Sequence, residues 1–274
     1  GNQTSGAGAT DFIRIEYRIE AQDIANSGWD YTNSSSNISL QFWVRSSVAQ
    51  NFYFIVNSVD GTARSYPMET GSLSAGTWTK ITKTIPGDSS LQFDNDVNEG
   101  FTVFFYIYLG TNYADNSVSL NAWKNVGNPQ TPINTTTWFT TNDATWDITG
   151  FQIEVGDSAT DFEHRSFAQE LQLCKRYYEK LNPKLYILAR YSHHDGSPYG
   201  QYHFNVEKRV APTCTFDTTG GTFESSSGYS GNPSFTDTRV DSTTIYGANS
   251  VTAGGILYLH TSSGGLLKFD AEIA

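Results

Sequence analysis

Apolar and polar residues alternate with period two along most of the first 155 positions, the pattern of half-buried β-strands. Ile13, Ile15, Tyr17 and Ile19 make one such run, and Ile38, Leu40, Phe42 and Val44 the next. Phe52 to Val56 follows and closes at the turn signal Asp60-Gly61. Thr77 to Ile85 reads as a strand with one solvated face, ended by Pro86-Gly87. Phe101 to Leu109, FTVFFYIYL, is apolar on both faces and predicts a central strand covered on both sides. Trp146, Ile148, Phe151, Ile153 and Val155 alternate across a phase slip at Gly150. About eight strands are thus predicted between Asp11 and Val155, at the spacing of a sandwich or jelly roll. A helical turn is expected at Ala21 to Ala25, and long loops between Gly110 and Thr145.

The period changes at Ser166. With Gln169 three residues on, Ser166 forms a capping-box signature. Phe167, Leu171, Cys174, Tyr178 and Leu181 then share one helical stripe until Pro183 stops it. A single amphipathic helix from 166 to 182 is predicted; its stripe can dock on its own sandwich or on another copy. Beyond it, Leu185 to Tyr191 and Tyr202, Phe204 and Val206 alternate again, and Ile256, Tyr258, Leu266 and Phe269 supply late strands. The tract from Asp217 to Asp241 is rich in Gly, Ser and Thr and poor in aliphatics, so this part needs support from the first domain or from copies of itself. The expected organisation is a linker (1–8), a jelly-roll β-sandwich (9–163), a connecting helix (164–183) and a smaller C-terminal β domain (184–274).

Charge narrows the function. The 274 residues hold 28 Asp and Glu against 17 Lys and Arg, the latter scattered, which argues against a nucleic-acid surface. No apolar run reaches the length of a membrane span, so no membrane insertion is expected. Cys174 and Cys214 sit in apolar contexts and read as buried thiols rather than a disulfide. The chain opens at Gly1 without a Met, which predicts a fragment of a longer protein.

Several segments, in collinear order, carry a resemblance. They are Ile19-Glu20-Ala21-Gln22-Asp23, Leu40 to Ser47, Ser65-Tyr66-Pro67, Lys83 to Asp88, and the block from Trp146 to Glu179 containing ITGFQIEVG, ATDFEHR and ELQLCKRYYE. This series resembles a family of tail-fibre and other virion structural proteins of marine bacteriophages. Arg209 to Thr213 and Phe269 to Ile273 resemble the end of such fibres. The resemblance implies a jelly roll similar to carbohydrate-binding modules, a distal β unit, a homotrimer, and no catalytic residue. It places the chain in the virion, outside the cell, joined to other virion proteins through a missing N-terminal region. The expected function is receptor binding: adhesion to a host surface polysaccharide or glycoconjugate. The alternative is a non-catalytic structural virion module, such as a fibre shaft or capsid decoration.

An aromatic ring packs on the apolar face of a pyranose while polar neighbours satisfy its hydroxyls, so loop aromatics are the first candidates. Trp123 and Trp138, with Tyr113 and Phe139, lie in loop-like sequence; they are either sugar platforms or plugs sealing the sandwich. Tyr199, Tyr202, Tyr229 and Tyr246 sit among Gly and Ser, as in adaptable recognition surfaces and equally as in turns and trimer contacts. Trp43 and Arg45 face away from the core side of their strand. Ser192-His193-His194-Asp195 with His203 offers metal ligands or a plain polar loop, in no trusted ligand spacing. Asp157, Asp161 and Glu163 can hold a structural Ca²⁺ or simply precede a helix N-terminus. Glu163-His164-Arg165 suggests acid–base chemistry, but a glycosidase needs two carboxylates about 5 to 10 Å apart, and a surface run fits equally. No cofactor is assigned.

Overall fold

A computed structural model describes residues 6, 8–181, 186–191, 198–217, 223–225, 230–247, 257–261 and 266–273. The chain divides into two compact units, Gly1–Glu163 and His164–Ala274.

The first unit holds β1 (Phe12–Glu20), α1 (Ala21–Ala25), β2 (Asn37–Ser46), β3 (Tyr53–Ser58), β4 (Arg64–Glu69), β5 (Thr79–Pro86), β6 (Glu99–Leu109), β7 (Lys124–Asn125), α2 (Thr137–Thr140) and β8 (Trp146–Val155). Among the described residues these strands form two antiparallel sheets, β1-β6-β3-β4-β7 and β5-β2-β8. The chain crosses repeatedly between them, and their apolar faces meet in a jelly-roll sandwich. Ile38, Leu40, Phe42 and Val44 of β2 pack against Phe54 and Val56 of β3 and Phe101, Val103, Phe105 and Ile107 of β6. Phe42 contacts Phe54 and Phe105 edge-on, at ring-centroid distances of 5.1 and 5.0 Å. β6 is central, as its two-sided apolar run predicts: only Glu99 and Phe104 are not fully buried.

The phase slip at Gly150 is a bulge. Gln41 pairs with Gln152 but Trp43 with Thr149, and Gly150 takes φ 62°, a conformation that favours glycine. Two further register shifts lie between β1 and β6, and both put the extra residue, Ile107 or Gly100, on β6. Gly100 accommodates the start of α1: a Cβ there would stand 2.4 Å from the Cα of Ala21.

Two expectations change here. The stretch from Gly110 to Thr145 is not all loop, since α2 and the short β7 interrupt it. The alternating residues of β1 are not uniformly buried either: Ile13, Ile15 and Tyr17 are 37, 42 and 53% exposed. The facing sheet is two strands narrower and covers this side of β1 only in part, Phe151 of β8 meeting the ring of Tyr17.

The second unit holds α3 (Phe167–Tyr177), β9 (Tyr178–Leu181), β10 (Tyr186–Tyr191), β11 (Pro198–His203), β12 (Thr213–Asp217), β13 (Phe223–Ser225), β14 (Ser230–Gly231), β15 (Pro233–Thr236), β16 (Ser242–Gly247), β17 (Leu257–Thr261) and β18 (Leu266–Asp270). Its described sheets are β14-β13-β17-β10-β11-β16-β15 and β12-β18-β9. The capping box at Ser166 is formed: Gln169 N–H donates to Ser166 Oγ, and Ser166 N–H to Gln169 Oε1.

The helix is shorter than its periodicity predicts. Tyr178 to Leu181 leaves it to pair with β18, Leu181 opposite Leu267 and Glu179 opposite Phe269, so strand pairing outweighs the helical spacing. Pro183, expected to stop the helix, lies outside the described residues. No residue of α3 is buried, and Cys174 is exposed, contrary to the buried thiol expected; Cys214 is half-buried and also unpaired with another sulfur.

Among the described residues, the apolar cluster of this unit is Phe204, Ile245, Leu267 and Phe269, with Leu181, Tyr202, Cys214, Phe216 and Phe235 packed against it. Beside it lies an ion pair withdrawn from water. Lys208 Nζ is 2.7 Å from Glu179 Oε2, their side chains 0 and 2% exposed. Lys208 also donates to the carbonyl of Lys175 in the last turn of α3 (2.5 Å), while Glu179 Oε1 accepts from Asn205 Nδ2 and the hydroxyl of Tyr202. Arg209 donates through its side chain to the carbonyls of Ala271 and Glu272 and through its backbone to that of Arg176. Helix, β9, the turn after β11 and the chain end are therefore joined by one charged cluster.

Removing one member of a buried pair strands the other, at a cost of about 3 to 5 kcal/mol. Lys208→Met is expected to lower the unfolding free energy of this unit by that order in urea titration, with the double variant Glu179→Met/Lys208→Met recovering part of it. Burial, then the neighbouring Glu179 carboxylate, push the Tyr202 phenol far above its ordinary value of 10. The folded state thus holds that proton after the unfolded chain has released it, so its contribution is complete below about pH 10 and falls as pH rises further. The stability of the wild type is expected to decline more steeply above pH 10 than that of Tyr202→Phe, followed by far-UV circular dichroism.

Candidate binding groove

Because Phe101, Val103 and Phe105 face the core, Thr102, Phe104 and Tyr106 point to the opposite, outer face of the five-stranded sheet. The register sets their neighbours in rows across the strands. Glu16, Phe104, Ile55 and Pro67 form one row, and Arg18, Thr102, Asn57, Ser65 and Lys124 the next. The loop after β7 rises over this face and encloses a groove of about 190 Å³, with Arg14, Asn57, Ser65, Phe104 and Tyr106 on the sheet and Val126, Gly127 and Gln130 on the loop.

Each wall is held. The guanidinium of Arg14 lies 4.7 Å from the ring centre of Phe104 and 5.3 Å from that of Phe12, and it pairs with Glu16 at 3.0 Å. Glu16 also meets Arg18, which meets Glu99. These half-exposed pairs add little stability but fix the guanidinium over the ring. Tyr106 donates its hydroxyl to Gln130 Oε1; burial pushes that phenol above its ordinary value, against the pull of Arg14. Lys124 secures the loop by donating to the carbonyls of Gly127 and Pro129, at 3.0 and 2.9 Å, and burial draws its ammonium below the usual lysine range.

One atom in the groove is left over. Asn57 Oδ1 is buried and accepts no hydrogen bond, a costly state for a polar atom shut from water, about 1 to 3 kcal/mol. The groove therefore offers an aromatic ring, a planar fork of donors and a hydroxyl, with the Asn57 carboxamide oxygen closed off beside them. No carboxylate, His or Cys lines it. A second depression of about 410 Å³ lies beyond the same loop and is lined by Trp123, Lys124, Val118 and Pro129.

The candidates read from the sequence fall elsewhere. Trp123 borders the second depression, but its ring leans on Tyr66 at 5.1 Å and its indole N–H donates to the carbonyl of Pro86. Trp138 packs on the core and donates its indole N–H to Thr145 O; Phe139 is buried and stacks near Tyr108. Tyr199 and Tyr246 are cross-strand partners with rings 5.3 Å apart. Tyr202 stacks on Phe269 at 5.4 Å inside the charged cluster. Tyr229, His193, His194 and Asp195 lie outside the described residues, and His203 is exposed at the end of β11.

Trp43 is 41% exposed, and Arg45 lies 4.9 Å over the Trp78 ring and 3.0 Å from Asp147. Around Gly156 the polar groups bond to protein. Asp157 accepts from Asn37, and Glu154 accepts from the backbone and hydroxyl of Thr160, the latter holding its carboxyl below the usual range. Asp157, Asp161 and Glu163 do not converge, and no group of three metal-ligating side chains occurs among the described residues. Arg165 pairs loosely with Glu170 at 3.7 Å.

No family model and no curated protein matches this chain. Among solved structures, wild-type discoidin II from Dictyostelium discoideum is similar at 9% identity over 96% of this chain and 94% of that one, with a TM-score of 0.20. A likeness that slight decides nothing about the groove.

Proposed function

We propose that the chain is a non-covalent glycan-binding module that attaches a phage fibre to a polysaccharide or glycoconjugate on the host surface, and that the groove on the outer face of the five-stranded sheet is its contact. The observation that carries this reading is the unpartnered Asn57 Oδ1, set beside Phe104, Arg14 and Ser65. A sugar residue presents both kinds of surface required: a C–H face for the ring of Phe104, and hydroxyls that accept from Arg14 and, once a lining side chain moves aside, donate to Asn57. The groove admits about one sugar unit, so single-site affinity is weak and adhesion rests on several copies acting together. The phage setting rests on the sequence resemblance. The second reading, a structural virion module without glycan affinity, is favoured by the internal hydrogen bonds of Trp123, Trp138 and Tyr202.

The two readings separate on variants titrated with purified host surface polysaccharide by calorimetry. Asn57→Ala removes an acceptor that the fold does not use. It is expected to leave the melting temperature unchanged or higher while weakening binding about three- to tenfold. Arg14→Ala is expected to weaken binding by a similar or larger factor. Saturable binding unaffected by either substitution moves the contact away from this groove, and no binding of any host polysaccharide favours the structural module.

A further inference from the structure

Strand β1 is an edge of the five-stranded sheet. Natural edges are usually short or interrupted, or carry Pro or charged side chains, Lys above all, which discourages pairing with another chain. β1 has nine residues, FIRIEYRIE, with no Pro or Lys, and its charges alternate in sign, Arg14, Glu16, Arg18 and Glu20, so that a second copy can match them. Both extra residues of its bulged pairing lie on β6, so β1 itself runs unbroken. Asp11 O accepts from Gly110 N, and Ala21 N donates to Asn98 O. Odd positions therefore face β6, and the backbone N–H and C=O groups of Phe12, Arg14, Glu16 and Arg18 are directed away from the sheet. On the core side of the strand, Ile13, Ile15 and Tyr17 stay substantially exposed.

We propose that this edge pairs antiparallel with the same edge of a second copy, about a two-fold axis at Ile15, joining the two five-stranded sheets into one. The occupant follows from self-complementarity. With the axis at Ile15, Arg14 faces Glu16 of the second copy and Glu16 faces its Arg14. Phe12 meets Arg18, Ile13 meets Tyr17, and Ile15 meets Ile15, covering the exposed apolar residues. Moving the axis to Glu16 sets Glu16 against Glu16 and Arg14 against Arg18, two repulsive contacts. Moving it to Tyr17 requires Glu20 and Ile19, of which Glu20 is fully buried and Ile19 is packed on its own core. Odd registers oppose an outward backbone group to an inward one. In the paired sheet the two grooves open on one face.

The test is sedimentation velocity over a wide concentration range on the intact chain. The wild type is expected to show a two-fold step in mass, and Ile15→Lys, which places like charges on the axis, to raise the dissociation constant at least about tenfold with unchanged circular dichroism. In a Cys174→Ser background, Ile15→Cys is expected to form an intermolecular disulfide. Residues facing across such an axis have Cα atoms about 4.5 Å apart, within disulfide reach. Ile13→Cys, which faces Tyr17, is expected not to form one. A hexamer that falls to a trimer in Ile15→Lys sustains the pairing. A monomer at every concentration, an assembly of any order unchanged by Ile15→Lys, or equal cross-linking of Ile13→Cys and Ile15→Cys overturns it.

Discussion

The first unit is governed by a mismatch of width: a five-stranded sheet is covered by a three-stranded one. Burial of apolar area drives the two together, and where they overlap Phe42, Phe54 and Phe105 interlock. Where they do not overlap, apolar residues stay in contact with water. The open flank at β1 is a direct result of this difference, and Tyr17, meeting Phe151 edge-on at 5.5 Å, marks its margin. The outer face of the wider sheet, which no second sheet covers among the described residues, is also where the groove forms, beside the small cluster of Ile55, Tyr106, Leu109 and Ala114 and under the loop after β7.

The second unit solves a different problem. Among its described residues, charged groups holding backbone carbonyls stand beside the apolar cluster. Lys208 and Arg209 reach carbonyls at the end of α3 and near the chain terminus, which would otherwise compete for water. Such a cluster contributes less net stability than an apolar core of the same volume. Its effect is to define where the helix ends.

Much of the sandwich is legible in the sequence because alternation, turn signals and the bulge glycine are local. The two-sided run of β6, the slip at Gly150 and the capping box at Ser166 all appear in the structure. Exposure of β1 is not legible, because whether Ile15 is covered depends on the width of another sheet. Nor is the end of α3, where Tyr178 and Leu181 keep helical spacing yet find strand partners far along the chain in Asp270 and Leu267. The groove escaped for the same reason. Arg14, Asn57 and Phe104 come from three strands and meet only through register, and Asn57 looks in sequence like an ordinary polar residue at a strand end. Loop aromatics draw attention instead, although an indole near Gly and Pro is as able to bond a distant carbonyl as to face a ligand.

The placement of both extra residues of the edge ladder on β6 also shapes how this surface can diverge. Side chains at Phe12, Arg14, Glu16 and Arg18 can be exchanged without touching a backbone hydrogen bond to β6, so charge and shape on that face are open to gradual variation. A single inserted or deleted residue within β1 would turn every side chain to the opposite side at once. Related chains should therefore differ along this strand by replacement and conserve its length, with changes in length confined to the segments on either side.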